Sequence, residues 1–215
     1  MRVLITGGLR GIGRALALQM HAAGHHVIIN DNGCQEDGIQ IAHGEMPPFV
    51  PNIHTYQVNL TTMGGCLQLA HAVAYNRASL HALVHCAAVR KGSIWGMMDV
   101  NCNGTIFLTE LLLPTLLENQ GVVMFFSSGA VDELAFDTRW YAASKAAVET
   151  YALSIADRVT TFIVRPSART RMNPQAETSP EDIAATCQGL LGQRSPQYLG
   201  RVLSLPGQGR VEVVR

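Results

Sequence analysis

The chain has 215 residues, 47% hydrophobic and 15% charged, and its 16 Lys+Arg offset 16 Asp+Glu to a formal net charge of zero. That length suits one α/β-sized domain able to take roughly 70–75% of its unfolded surface out of water, which excludes disorder and any need for a metal or disulfide staple. A neutral chain with fewer charges than the usual ~25% offers no broad attraction for nucleic acid or anionic lipid, and it suits a protein that hides surface between subunits.

Five cysteines (Cys34, Cys66, Cys86, Cys102, Cys187) at wide spacings, with no C-x-x-C pair, read as reduced thiols and a cytoplasmic location. No uninterrupted apolar run reaches the ~18–20 residues of a membrane span, so no membrane association is expected. The first residues enter a strand pattern at once, leaving no room for a signal peptide.

Short apolar runs read as buried parallel strands at Val3–Ile5, Val27–Ile29, His54–Val58, Ala82–Val84, Val122–Phe126, Phe162–Val164 and Val202–Leu205. Stretches with helical apolar spacing lie between them: Ile12–Ala23, Gly65–Arg77, Cys102–Leu117, Tyr141–Ala156 and Pro180–Leu191. This alternation predicts a single domain with a doubly wound parallel sheet, a Rossmann fold with helices on both faces. Gly24 and Gly121 mark helix ends, and Ser179-Pro180-Glu181-Asp182 marks a helix start. Pro47–Pro51 reads as an irregular loop, Pro114 as a helix kink, and Arg210–Arg215 as an edge strand across a dimer or a fraying tail.

The first strand runs into Thr6-Gly7-Gly8-Leu9-Arg10-Gly11-Ile12-Gly13, which opens the first helix. Glycine permits a tight turn and a close backbone approach to a pyrophosphate, whose charge the helix N-terminus meets. Without Gly-Lys-Ser/Thr, the turn does not read as a nucleoside triphosphate loop. Gly7, Arg10, Gly11, Ile12 and Gly13 are therefore candidate dinucleotide-binding residues. Asp31, closing the second strand, can accept from ribose hydroxyls and would repel a 2′-phosphate. Arg10 argues the other way. Because an unpaired carboxylate beside a phosphate costs more, NAD is favoured over NADP.

Tyr141-Ala-Ala-Ser-Lys145 puts a phenol and an ammonium four apart on one helix face. Ser128 follows the strand Val122–Phe126 at its carboxyl edge, where open α/β sheets bind ligands. Ser127 is its rival, on the opposite face by alternation. Lys145 and a positively charged nicotinamide ring would lower the pKa of Tyr141 from its ordinary ~10.

Taken in order, Thr6-Gly7-x-x-x-Gly11-x-Gly13, Asn101 in Asn101-Cys-Asn-Gly104, Ser128 and Tyr141-x-x-x-Lys145 resemble the short-chain dehydrogenase/reductase family over nearly the whole chain. The resemblance implies hydride transfer between a nicotinamide cofactor and a carbonyl/secondary-alcohol substrate, and a homodimer or homotetramer. It implies Tyr141 as acid/base, Lys145 as its partner at the nicotinamide ribose, Ser128 orienting the substrate, and Asn101 supporting a proton path. It also selects Ser128 over Ser127.

The sequence departs from that family in places. His85-Cys86-Ala87-Ala88 replaces the usual Asn-Asn-Ala-Gly, with Ala87 a cofactor-binding candidate and Ala88 adding a Cβ beside the cofactor; Asn59 stands for the acidic residue near the adenine; and Pro166-Ser167 replaces Pro-Gly. Thr170, one residue nearer the proline than usual, is the threonine expected at the nicotinamide carboxamide. The short stretch Arg171–Thr178 predicts an open site or one completed by a neighbouring subunit. Ser144 is expected to pack near the cofactor or the subunit contact, and Cys86 to be a packed small hydrophobe. His81 and His85 share a strand face but lack a third ligand, so no metal is expected. The rival reading is a dinucleotide-binding sensor or scaffold without turnover. A further one is a reductase for a planar heteroaromatic or acyl-carrier-bound substrate.

Overall fold

The computed structural model describes residues 1–33, 52–75, 78–170, 172–194 and 196–214. Cys34 and Pro47–Pro51 lie outside the described residues, as do Arg77 and Arg171.

Among the described residues, eight strands form one sheet in the order β3-β2-β1-β4-β5-β6-β7-β8. They are β1 (Arg2–Thr6), β2 (His26–Asp31), β3 (Ile53–Gln57), β4 (Ala82–His85), β5 (Val122–Phe126), β6 (Thr160–Pro166), β7 (Val202–Gly207) and β8 (Arg210–Val213). The first seven are parallel. Strand order reverses between β1 and β4, which opens a crevice at the carboxyl edge there.

Helices cover both faces: α1 (Gly11–Ala22), α2 (Met63–Ala74), α3 (Ile94–Met98), α4 (Thr105–Glu118), α5 (Ala130–Glu133), α6 (Arg139–Ser154) and α7 (Pro180–Gln193). Alternation along β1 sends Val3 and Ile5 into one core with Leu16 and Met20 of α1 and Ile183 and Leu191 of α7. Leu4 goes to the other core, with Leu69 of α2, Leu108 and Leu112 of α4, and Val148 of α6. Truncating one such leucine to alanine typically costs about 2–5 kcal/mol. The helix start at Ser179 is as expected, its Oγ accepting from Asp182 N at 3.1 Å.

Two local expectations are corrected. The helix expected from Cys102 begins earlier, at α3, where Ser93 Oγ accepts from Gly96 N at 3.0 Å. It continues through a π-helical segment, Asp99–Gly104, into α4. The wider π turn changes which residues face inward, so Asp99, Asn101 and Asn103 interrupt the apolar period without ending the helix. The whole stretch Ile94–Glu118 has the length and apolar composition of a membrane span, longer than any apolar run apparent in the sequence. Its Leu108, Leu112 and Leu116 nevertheless pack in the core against the sheet.

The tail is the second correction. It does not fray: β8 pairs antiparallel with β7 of its own chain, Ser204 opposite Glu212 and Gly207 opposite Arg210, and it forms the edge of the sheet. Gly207, Gln208 and Gly209 all take positive φ (111°, 55° and 69°), which reverses the chain tightly.

Candidate active site

The glycine turn is built by close approach. Gly7 N donates to Asn30 O at 2.7 Å, bending the chain over the end of β2. Gly7 has φ +65°, and a Cβ there would stand 2.8 Å from Ala87 Cα; a Cβ on Gly13 would stand 2.4 Å from Gly7 O. At Gly11 the requirement is conformational, with φ +50° and only ordinary contact with the Thr170 methyl. Arg10 caps α1 in an extended conformation without a side-chain bond, and the first turn of α1 holds no acid. The positive helix end is thus uncompensated by the chain itself, and this cradle fits a pyrophosphate.

Around the cradle stand the other expected cofactor residues. Ala87 N donates to Thr6 Oγ1 at 3.2 Å, tying β4 to β1 at the crevice. Pro166 ends β6, and Thr170 Oγ1 accepts from Asn173 N at 3.2 Å, which holds the threonine over the glycine turn. Ile12 packs against the core shared by α1 and α7. Asn59 Oδ1 accepts from Thr61 N at 3.0 Å, which leaves one of its two lone pairs.

The argument for NAD is overturned at Asp31. Its carboxylate is not unpaired: Arg10 Nη2 lies 3.7 Å from Oδ1, which also accepts from Gly33 N at 3.0 Å. A charge already neutralised repels a 2′-phosphate little, and the same arginine can meet that phosphate. The ranking that put NADP below NAD therefore falls.

Ser128, Tyr141 and Lys145 come together at the carboxyl end of β5. The Tyr141 side chain hydrogen-bonds Ser128, and Ser128 Oγ accepts from Ala130 N at 3.2 Å. Tyr141 packs with Met97, Ala130 and Ala142. Lys145 is buried, its Nζ donating to Phe126 O at 2.7 Å and lying 5.9 Å from the Tyr141 ring centroid. Burial lowers its pKa from 10.5 to about 8.

Burial raises the Tyr141 pKa above its ordinary value, outweighing any lowering by Lys145 alone. The opposing influences are the Ser128 hydrogen bond and the charge of Arg90, whose guanidinium stands 5.9 Å from the ring centroid. Lys145 has its ammonium turned to a backbone carbonyl instead. Arg90 was missed because it belongs to no motif; only its position after the strand-end segment His85–Val89 pointed to the crevice.

Asn101, in the π turn, spends its side-chain amide on Val89 and Ser144. Its Oδ1 accepts from Val89 N at 2.8 Å, and its Nδ2 donates to Val89 O at 2.8 Å and Ser144 Oγ at 3.0 Å. Ser144 in turn donates to Tyr141 O at 2.7 Å. Ser144 is therefore a buried strut between the π turn and α6, not a residue of a subunit face. Ser127 points the other way, donating to Glu149 Oε1 at 2.6 Å.

The substituted strand-end segment is packed rather than reactive. His85 Nε2 bonds Thr109 Oγ1 at 2.8 Å and its ring stacks on Phe125, while burial lowers its pKa to about 3. Burial pushes the Cys86 thiol up to about 12, so it stays a neutral thiol. His81 is used elsewhere, its Nδ1 accepting from Arg2 N at 3.0 Å. Among the described residues no three His, Cys, Asp or Glu side chains gather as metal ligands.

Residues 1–169 match the family model described as short chain dehydrogenase. An uncharacterized oxidoreductase, YciK of Escherichia coli K12, is 29% identical over 92% of this chain and 88% of its own. The NADPH-dependent pterin aldehyde reductase of Arabidopsis thaliana is 26% identical over 73% of this chain and 68% of its own. Among solved structures, the 3-ketoacyl-(acyl-carrier-protein) reductase of Brucella melitensis, complexed with NADH, superposes with a TM-score of 0.79. It covers 95% of this chain and 96% of its own at 18% identity, a likeness of fold. With the glycine turn, Ser128, Tyr141 and Lys145 placed at one sheet edge and the match running from the first residue through β6, the chain belongs to the short chain dehydrogenase family of oxidoreductases.

Proposed function

We propose that this protein interconverts a carbonyl and a secondary alcohol, using a nicotinamide dinucleotide held at the glycine turn. The observation that carries the reading is the hydrogen bond between Ser128 and Tyr141, made where β5 ends beside the crevice. Gly7, Gly11, Ile12 and Gly13 would receive the pyrophosphate, Arg10 and Asp31 the adenosine ribose, and Asn59 the adenine. Ala87, Lys145, Pro166 and Thr170 would line the nicotinamide end. When bound, the dinucleotide supplies or accepts the hydride.

The chain's own residues handle the oxygen. Ser128 donates to the substrate oxygen and fixes its direction. Tyr141, protonated at neutral pH, gives its proton to that oxygen during reduction and takes one back during oxidation. Lys145, buried within α6, keeps a cation near the tyrosine that favours phenolate when the proton leaves. Asn101 positions these groups through Val89 and Ser144 and supports the proton path through the structure it holds.

Both NAD(H) and NADP(H) remain in the proposal, because Asp31 is already paired with Arg10. Phe107 and Leu111 of α4 and Trp140 and Leu153 of α6 are exposed. They support a homo-oligomer packed through those two helices. The free thiols Cys66, Cys86, Cys102 and Cys187 support a cytoplasmic location.

The test is purified protein with NADH or NADPH and a panel of aldehydes and ketones, followed by nicotinamide absorbance. Tyr141→Phe is expected to lose at least ~10² in turnover while still binding the dinucleotide. Dinucleotide binding with no turnover on any carbonyl would favour the sensor reading instead.

A further inference from the structure

Arg90 sits in the crevice with an unusual set of partners. Its Nη1 donates to Met172 O at 2.8 Å, spanning from the end of β4 to the segment after β6, and its guanidinium stands beside the Tyr141 ring. Two other guanidinium groups near the site have carboxylates: Arg10 has Asp31, and Arg165 has Glu149 and Asp132. Among the described residues Arg90 has none. A guanidinium carries five N–H donors in a rigid fork that matches a carboxylate, and the Met172 carbonyl takes one hydrogen bond.

The backbone leading to Arg90 is also fixed. Val89 immediately before it is held at both N–H and C=O by the Asn101 amide, and Asn101 is held by Ser144 of α6. The arginine is thus presented on a backbone held by the same brace that ties the π turn to the tyrosine helix. A partly exposed cation placed that way beside the proton-transferring residue, with no counter-charge from the chain, calls for one from the bound compound.

We propose that Arg90 anchors an anionic group of the substrate, so that the reacting compound is an oxo acid and its hydroxy acid, with the carboxylate a short distance from the carbonyl. This substrate class rests on the oxidoreductase reading above. The anion anchor itself is a binding property that is measured without turnover.

The test is calorimetric titration of malonate, and separately of dimethyl malonate, into protein saturated with whichever of NAD⁺ and NADP⁺ binds. Malonate is expected to bind at least ~10-fold more tightly than the diester, the usual scale of a charge-assisted hydrogen bond. Arg90→Gln should weaken malonate by at least ~10-fold and leave dinucleotide affinity unchanged, with Arg90→Lys recovering part of the loss. Lys91→Gln, an equal charge change at the exposed neighbour, should leave malonate affinity unchanged. The proposal is overturned if malonate does not bind, if the diester binds as well, or if Lys91→Gln matches Arg90→Gln. Loss of dinucleotide affinity in Arg90→Gln would also overturn it, by making Arg90 a cofactor-phosphate ligand. Malonate binding as expected with no turnover of any carbonyl would sink the oxidoreductase reading and leave the anion anchor, whereas turnover of other carbonyls but of no oxo acid would overturn the substrate class proposed.

Discussion

Arg165 and Glu149 face each other in the interior, with Nε donating to Oε1 at 2.7 Å and Nη2 donating to Oε2 at 2.9 Å. The pair joins β6 to α6, the helix that carries Tyr141 and Lys145, and it reaches further on both sides. Glu149 accepts from Ser127, and Arg165 bonds Asp132 in α5, just beyond Ser128. Three elements that carry the site are thereby fixed to one guanidinium. A buried pair contributes little relative to a well-packed apolar one, but removing one partner strands a charge. Glu149→Met is therefore expected to lower stability by about 3–5 kcal/mol. The double variant Glu149→Met/Arg165→Leu should recover much of it, and a double-mutant cycle of urea denaturation checks both.

Lys145 is held charged at neutral pH in a place that disfavours charge. Its pKa is lowered from 10.5 to about 8, so the folded state binds fewer protons than the unfolded state between those values, and stability rises with pH there. Below pH 8 the full cost is present, about 3 kcal/mol for the 2.5-unit shift at ~1.36 kcal/mol per unit. Lys145→Met should therefore melt at a higher temperature than the parent protein at pH 7, with the difference shrinking above pH 8. Melting curves across that range, without added dinucleotide, are the measurement.

His85 sets an acid limit. Burial keeps it neutral down to about pH 3, whereas the unfolded chain protonates it near 6.5. The unfolded state then binds more protons between those values, and stability is lost as pH falls through them, by at most about 5 kcal/mol. His85→Asn carries no titrating group and is expected to flatten the acid limb of a stability–pH profile. An unchanged slope would assign the acid sensitivity to other groups.

Cofactor choice is poised between Arg10 and Asp31, 3.7 Å apart. Asp31→Asn frees the arginine and should shift the ratio of NADP(H) to NAD(H) affinity upward by at least ~10-fold; Arg10→Ala should move it the other way by a similar factor. Fluorescence titration of both reduced dinucleotides against the two variants measures the ratio directly.

Much of the architecture was legible because its signals are local. Val122–Phe126 reads as a strand and is one, since a continuous apolar run with both faces buried needs no distant partner to be recognised. Gly7 and Gly13 are legible for a related reason: the turn they make excludes any side chain. The start of the fourth helix was less legible, because its π segment breaks the 3.6-residue period that reveals helices. The tail could not be assigned a partner from its weak alternation, which suits any exposed sheet edge.

What the sequence determined by itself was the parallel α/β sheet, the glycine cradle, and the order of Ser128, Tyr141 and Lys145, all set by patterns within a few residues of one another. Only the tertiary structure decided which charges meet. It paired Arg10 with Asp31, turned Lys145 to the Phe126 carbonyl, left Tyr141 beside Arg90, and gave Asn101 to Val89 and Ser144. Electrostatic partners are chosen by proximity across strands and helices far apart in the chain, and the same folding that brings them together removes the water that would have screened them.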